Sequence, residues 1–166
     1  MSVADFNDLP PAAARDALAL CCVSERWIDR MLARRPFSSR EAMLDCANSV
    51  WETLGEDDYL EAFEGHPRIG DVASLKARYA HSEELARGEQ SGVSGADDAT
   101  IARLAGGNRR YEERFGFMFI VCATGKSAAQ MCELLEARLN NSREQELKIA
   151  AEEQRRILQL RLEKLV

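Results

Sequence analysis

The chain has little of what many functional classes require. It carries two histidines, four prolines, and five cysteines with no CxxC spacing. An odd set of unpaired thiols argues against a disulfide framework and against zinc, and fits cysteines serving as small core residues in a reducing compartment. Nothing near any one cysteine marks it as activated, so a thiolate nucleophile is not the first expectation. Basic charge is also short. Against 28 Asp and Glu stand 22 Lys and Arg, a net charge of −6. That balance speaks against a nucleic-acid partner, which needs a basic face. It does not speak against an anionic small substrate in a locally positive pocket. The longest apolar run, Phe115 to Ala123, falls far short of the roughly 20 residues that span a bilayer. The N-terminus lacks a basic segment followed by an apolar one, so no signal peptide is expected and the protein should be cytoplasmic.

What is present is helical patterning. The 46% apolar fraction can fill a core. Pro10-Pro11 opens an Ala- and Leu-rich run from Ala12 to Cys22. Ser24 to Ala33 places Trp27, Ile28, Met31 and Leu32 on one face, and Pro36 ends it. Ser38-Ser39-Arg40-Glu41 reads as a capping box, followed by Met43, Leu44, Ala47, Val50 and Leu54. Asp57 to Glu64 is a short helix with Gly65 as its expected C-cap. Ala73 to Arg87 and Asp98 to Phe115 continue the pattern, separated by the glycine-rich GEQSGVSGADD. Ser127 to Gln130 and Ser142 to Gln145 are two further capping boxes, the second opening a long closing helix. Only GFMFIVCA could be a strand, and helical patterns flank it. The expected fold is all-α, a single compact helical domain over residues 1–166 with about seven to nine helices around that buried segment. The closing helix has more apolar positions than one face needs, which permits either packing within the domain or a dimer seam.

The chemistry candidates begin at FEGHPRIGD. Gly65 lets the chain turn, and Pro67 biases His66 away from helical dihedrals. The imidazole is thus held at a stiff corner, as a general acid or base needs to be. The same residues also allow a histidine that merely caps a helix end. His81 reads as a surface helix residue. Glu89-Gln90 beside the glycine-rich loop and Arg138 at a helix end mean little alone.

Together, these pieces resemble the 2-oxo-4-hydroxy-4-carboxy-5-ureidoimidazoline (OHCU) decarboxylase family of urate breakdown. The resemblance runs from Pro36-Phe37 and Trp51 to Phe63 through His66-Pro67-Arg68-Ile69-Gly70 and Gly88-Glu89-Gln90. It continues through Asn108, Tyr111, Phe115-Gly116-Phe117 and Phe119-Ile120, and closes with Ala137-Arg138-Leu139-Asn140 and Glu146 to Leu165. It implies a helical homodimer, a small ureide substrate and catalysis without cofactor or metal. It implies His66 as the catalytic histidine working with Glu89, and Arg138 in the same pocket. Substrate contacts are implied at Pro67, Ala86, Glu89 and Gln90, and at Phe119, Ile120, Val121, Cys122 and Ala123. The family often has serine where this chain has Ala86, so a side-chain hydrogen bond from that position is lost. Two other classes fit parts of the sequence: a non-catalytic helical interaction module, and a ureide hydrolase.

Overall fold

The computed structural model of the chain describes residues 1–67, 72–73, 75–77 and 98–166. Among the described residues there are eight helices and no strand: α1 (Val3–Asp8), α2 (Pro11–Ala19), α3 (Glu25–Leu32), α4 (Arg40–Glu52), α5 (Glu56–Glu64), α6 (Asp98–Phe115), α7 (Ala128–Arg138) and α8 (Arg143–Leu165). The all-α expectation holds. Helical residues also occur at 72–73 and 75–77, inside the helix expected from Ala73 to Arg87. The remainder of that helix and the glycine-rich segment lie outside the described residues.

Backbone contacts divide the chain into two compact units: Met1–His66 with Ile149–Val166, and Pro67–Lys148. In the first, α3 packs against α2, α4 and α5. Its core is Phe6, Leu18, Trp27, Ile28, Met31, Met43, Ala47 and Phe63, closed by Leu158 and Leu162 of α8. Ser24 starts α3 by accepting from the Trp27 amide at 3.4 Å, and the indole N–H of Trp27 donates to the Ala47 carbonyl at 3.4 Å. Helix α1, which the sequence pattern missed, starts with a capping box between Ser2 and Asp5. Asn7 then ties it to the turn after α3, donating to the Phe37 carbonyl at 2.8 Å and accepting from the Phe37 amide at 2.9 Å.

One cap differs from expectation in its position, and another, the C-cap at Gly65, is where expected but differs in conformation. Ser39, not Ser38, caps α4 and accepts from the Ala42 amide at 3.1 Å. The tandem serines make both registers possible, and extended dihedrals at Ser39 select the later one. Gly65 does follow α5, but with φ −72° it is not in the left-handed region. Space explains the glycine instead: a Cβ there would lie 2.7 Å from Val23 Cγ2.

In the second unit, α6 packs against α7. They meet at Gly107, where a Cβ would sit 2.3 Å from Leu135 Cδ2. The capping box of α7 is the expected one, Ser127 with Gln130, and Ser142 with Gln145 brackets the start of α8 in the same reciprocal way. Between α6 and α7 the segment expected to be buried on all sides is irregular rather than helical. Phe117 and Ile120 are buried there, while Met118, Phe119, Val121, Cys122 and Ala123 are half-buried. Glycines with positive φ flank it, Gly116 at 77° and Gly125 at 74°. These left-handed turns interrupt helical continuity on both sides of the segment.

Candidate active site

His66 follows the last turn of α5, where its amide donates to the Phe63 carbonyl at 3.1 Å. The side chain is half-buried. Its Nε2 makes a short hydrogen bond with Oε1 of Gln154, from the closing helix. Gln154 is fully buried, and its Nε2 has no hydrogen-bond partner among the described residues. Pro67 is exposed. Ala86, Glu89 and Gln90 lie outside the described residues, and with them the expected pairing of His66 and Glu89.

Arg138 is in the last turn of α7 and is 8% exposed. Its guanidinium is committed to protein groups. Nε donates to Glu146 Oε1 at 2.5 Å, Nη1 to the Ile120 carbonyl at 2.6 Å, and Nη2 to the Tyr111 hydroxyl at 3.4 Å. An ion pair also joins Nη2 to Glu146. Tyr111 Oη donates to Glu146 Oε1 at 2.5 Å, and Asn141 Nδ2 donates to Oε2 at 3.0 Å. The Glu146 carboxylate is thereby satisfied on both oxygens with no solvent exposure. Burial first, then the bond to Glu146, pushes the Tyr111 phenol well above its ordinary range, so it stays a neutral donor.

Aromatic rings complete this arrangement. The guanidinium carbon lies 4.6 Å from the Phe119 ring centre and 5.7 Å from that of Tyr111. Tyr111 in turn meets Phe115, Phe117 and Phe119. The structure therefore brings together Arg138, Phe119 and the Ile120 backbone among the residues expected in the site. It gives the irregular segment one firm anchor at the Ile120 carbonyl and a Lys126 Nζ bond to the Cys122 carbonyl at 2.7 Å.

Sequence reasoning missed Gln154 and gave no role to Glu146 or Tyr111. A signal for the first two existed. The buried positions of α8 are Glu146, Ala150, Ala151, Gln154, Leu158 and Leu162, a stripe at helical spacing with two polar members. A polar residue in such a stripe needs a partner, which marks it for attention.

A model of the OHCU decarboxylase family matches residues 7–163. The chain belongs to the OHCU decarboxylase family. The uric acid degradation bifunctional protein TTL of Arabidopsis thaliana is 32% identical over 150 residues, covering 90% of this chain and 46% of that protein. The 2-oxo-4-hydroxy-4-carboxy-5-ureidoimidazoline decarboxylase of Haloferax volcanii is 26% identical over 163 residues, 98% of this chain and 94% of that one. A solved OHCU decarboxylase, crystallised in the presence of (S)-allantoin, matches with a TM-score of 0.71 at 32% identity over 90% of this chain and 96% of its own. The chain spans less than half the length of the bifunctional relatives it matches. Family membership and the all-α architecture thus agree with the reading taken from HPRIG, EQ and FGF-x-FI.

Proposed function

We propose that the chain decarboxylates 2-oxo-4-hydroxy-4-carboxy-5-ureidoimidazoline to (S)-allantoin in urate breakdown, acting as one domain. The observation that carries this reading is the family match across residues 7–163, which includes the His66-Pro67 corner and the segment held by Arg138.

The substrate's name describes its chemistry. One ring carbon bears both a carboxylate and a hydroxyl, and the neighbouring carbon carries the ureido group and a ring C=N. When the C–CO2 bond breaks, its electron pair forms a C=C bond between those carbons, and the C=N electrons move to nitrogen, which takes a proton. The hydroxyl then loses its proton to become the carbonyl, and the ureido carbon gains one. The electron sink is internal, so the reaction asks for no cofactor. The protein's tasks are to hold the ureide, to desolvate the carboxylate, and to protonate one face of the planar intermediate.

His66 is the group we assign to the hydroxyl proton, with Glu89 as its partner in orienting or relaying it. The Phe119–Ala123 segment offers backbone N–H and C=O groups to ureide atoms, with Pro67, Ala86 and Gln90 as further contacts. Arg138 belongs to the site as the residue that fixes this segment through the Ile120 carbonyl. A homodimer fits the half-buried Leu147, Ile149, Ile157 and Leu160 of α8. No helix among the described residues is long and apolar enough to cross a membrane, and five free thiols suit the cytoplasm.

The test supplies substrate generated freshly from urate and follows carbon dioxide release together with the circular dichroism of (S)-allantoin. Both should rise with enzyme concentration. Ammonia release in place of carbon dioxide would indicate a ureide hydrolase and overturn the proposal. Failure to accelerate either reaction would leave an interaction module.

A further inference from the structure

Gln154 is difficult to explain by stability. It occupies the inner stripe of α8 between Ala150 and Leu158, both fully buried, and is itself 0% exposed. One end of its carboxamide meets His66 Nε2, and the other has no partner among the described residues. A buried donor left unmet is destabilising. Leucine, which fills positions 158 and 162 of the same stripe, would avoid that cost. A polar group kept where an apolar one packs better points to a functional demand.

The demand follows from the atoms that meet. A carboxamide oxygen can only accept, so opposite His66 Nε2 it requires an N–H on that nitrogen. The neutral tautomer protonated at Nε2 satisfies it, and so does the imidazolium. The tautomer protonated at Nδ1 does not. We propose that Gln154 is a positioning residue that keeps His66 protonated at Nε2 throughout the reaction, so that every proton His66 exchanges passes through Nδ1. Being neutral, the carboxamide fixes the ring without the rise in basicity that a carboxylate at this position would impose. This inference rests on the assignment of His66 as the proton-handling group, but it concerns which nitrogen does the work.

The experiment uses the full chain labelled with 15N-histidine. With only His66 and His81 present, two-bond nitrogen–proton correlations resolve each ring, and His81→Gln identifies the signals. The neutral His66 ring should be protonated at Nε2 in the unsubstituted protein. A ring protonated at Nδ1 there overturns the proposal without any variant having to fold. In Gln154→Leu the Nε2 preference should weaken and kcat should fall at least ~10-fold with KM little changed, while the melting temperature stays level or rises. In Gln154→Glu the apparent imidazole pKa should rise by about one unit or more, carrying the pH–rate profile with it. A merely structural glutamine predicts a lower melting temperature in Gln154→Leu, with tautomer and pH profile unmoved. The nitrogen spectra do not depend on turnover, so a chain without decarboxylase activity would still report on the His66–Gln154 pairing.

Discussion

Arg138 and Glu146 form an ion pair closed to solvent, with Nε donating to Oε1 at 2.5 Å, and the same guanidinium holds the Ile120 carbonyl at 2.6 Å. One arginine therefore links the end of α7, the start of α8 and the irregular segment between α6 and α7. Removing one member of a buried pair strands the other charge, which typically costs about 3–5 kcal/mol. Arg138→Met should lower unfolding free energy by that order in urea titration. Combining it with Glu146→Leu should recover a substantial part, because no uncompensated charge remains. Additive losses in the double variant would deny the coupling.

His66 sits past a helix end and is half-buried, so its replacement should leave the fold intact. His66→Asn should lose at least ~100-fold in kcat for decarboxylation, with far-UV circular dichroism unchanged. Turnover close to that of the unsubstituted chain would remove His66 from the mechanism.

The residue before it can be tested through sterics. An added Cβ at Gly65 would approach Val23 Cγ2 to 2.7 Å and Cγ1 to 2.9 Å. Gly65→Ala should cost about 1–3 kcal/mol by overpacking and, by displacing the corner, reduce activity about 10-fold. Adding Val23→Ala should restore much of the activity. A Gly65→Ala variant as active as its parent would show that the corner tolerates movement.

Stability should fall in alkali. Burial lifts the Cys21 thiol from 9.0 to about 11 and the Cys22 thiol to about 12, and raises the Tyr111 phenol as well. In the unfolded chain these groups ionise near their ordinary values. The stability that comes from keeping the thiols neutral is complete below pH 9 and drains as pH rises toward their folded values. Each group contributes a slope of up to about 1.4 kcal/mol per pH unit. Melting temperature should decline between pH 9 and 11, and Cys21→Ala with Cys22→Ala should flatten that decline.

Thiol labelling can probe the segment assigned to substrate contact. Cys21, Cys22 and Cys132 are buried, whereas Cys46 and Cys122 are half-exposed. Peptide mapping after brief alkylation should find label at Cys46 and Cys122 only. Saturating (S)-allantoin should slow labelling at Cys122 and leave Cys46 unaffected. Equal protection at both, or at neither, would count against Phe119–Ala123 as a ligand contact.

Helices were legible where local signals agreed with packing. Ser127-to-Gln130 and Ser142-to-Gln145 bring their own partners, so the caps read directly from spacing. The serine pair before α4 offered two registers, and only the backbone chose. GFMFIVCAT was legible as an apolar stretch that reaches the interior, but composition reports burial and not conformation; flanking glycines at positive φ make the segment irregular. In the site, His66 stood out because a histidine between glycine and proline is conspicuous by itself. Gln154 did not, since its role depends on a ring 88 positions away in the chain. Arg138 was found by family resemblance, but its bonding to Glu146 and Ile120 is a matter of tertiary contact that spacing does not encode.

Among the described residues, the irregular stretch after α6 has no neighbouring strand to keep in register. A guanidinium grips the Ile120 carbonyl, and the Phe117 ring ahead of that point is buried. Side chains at Met118, Val121 and Cys122 can therefore be exchanged without disturbing a ladder of backbone bonds.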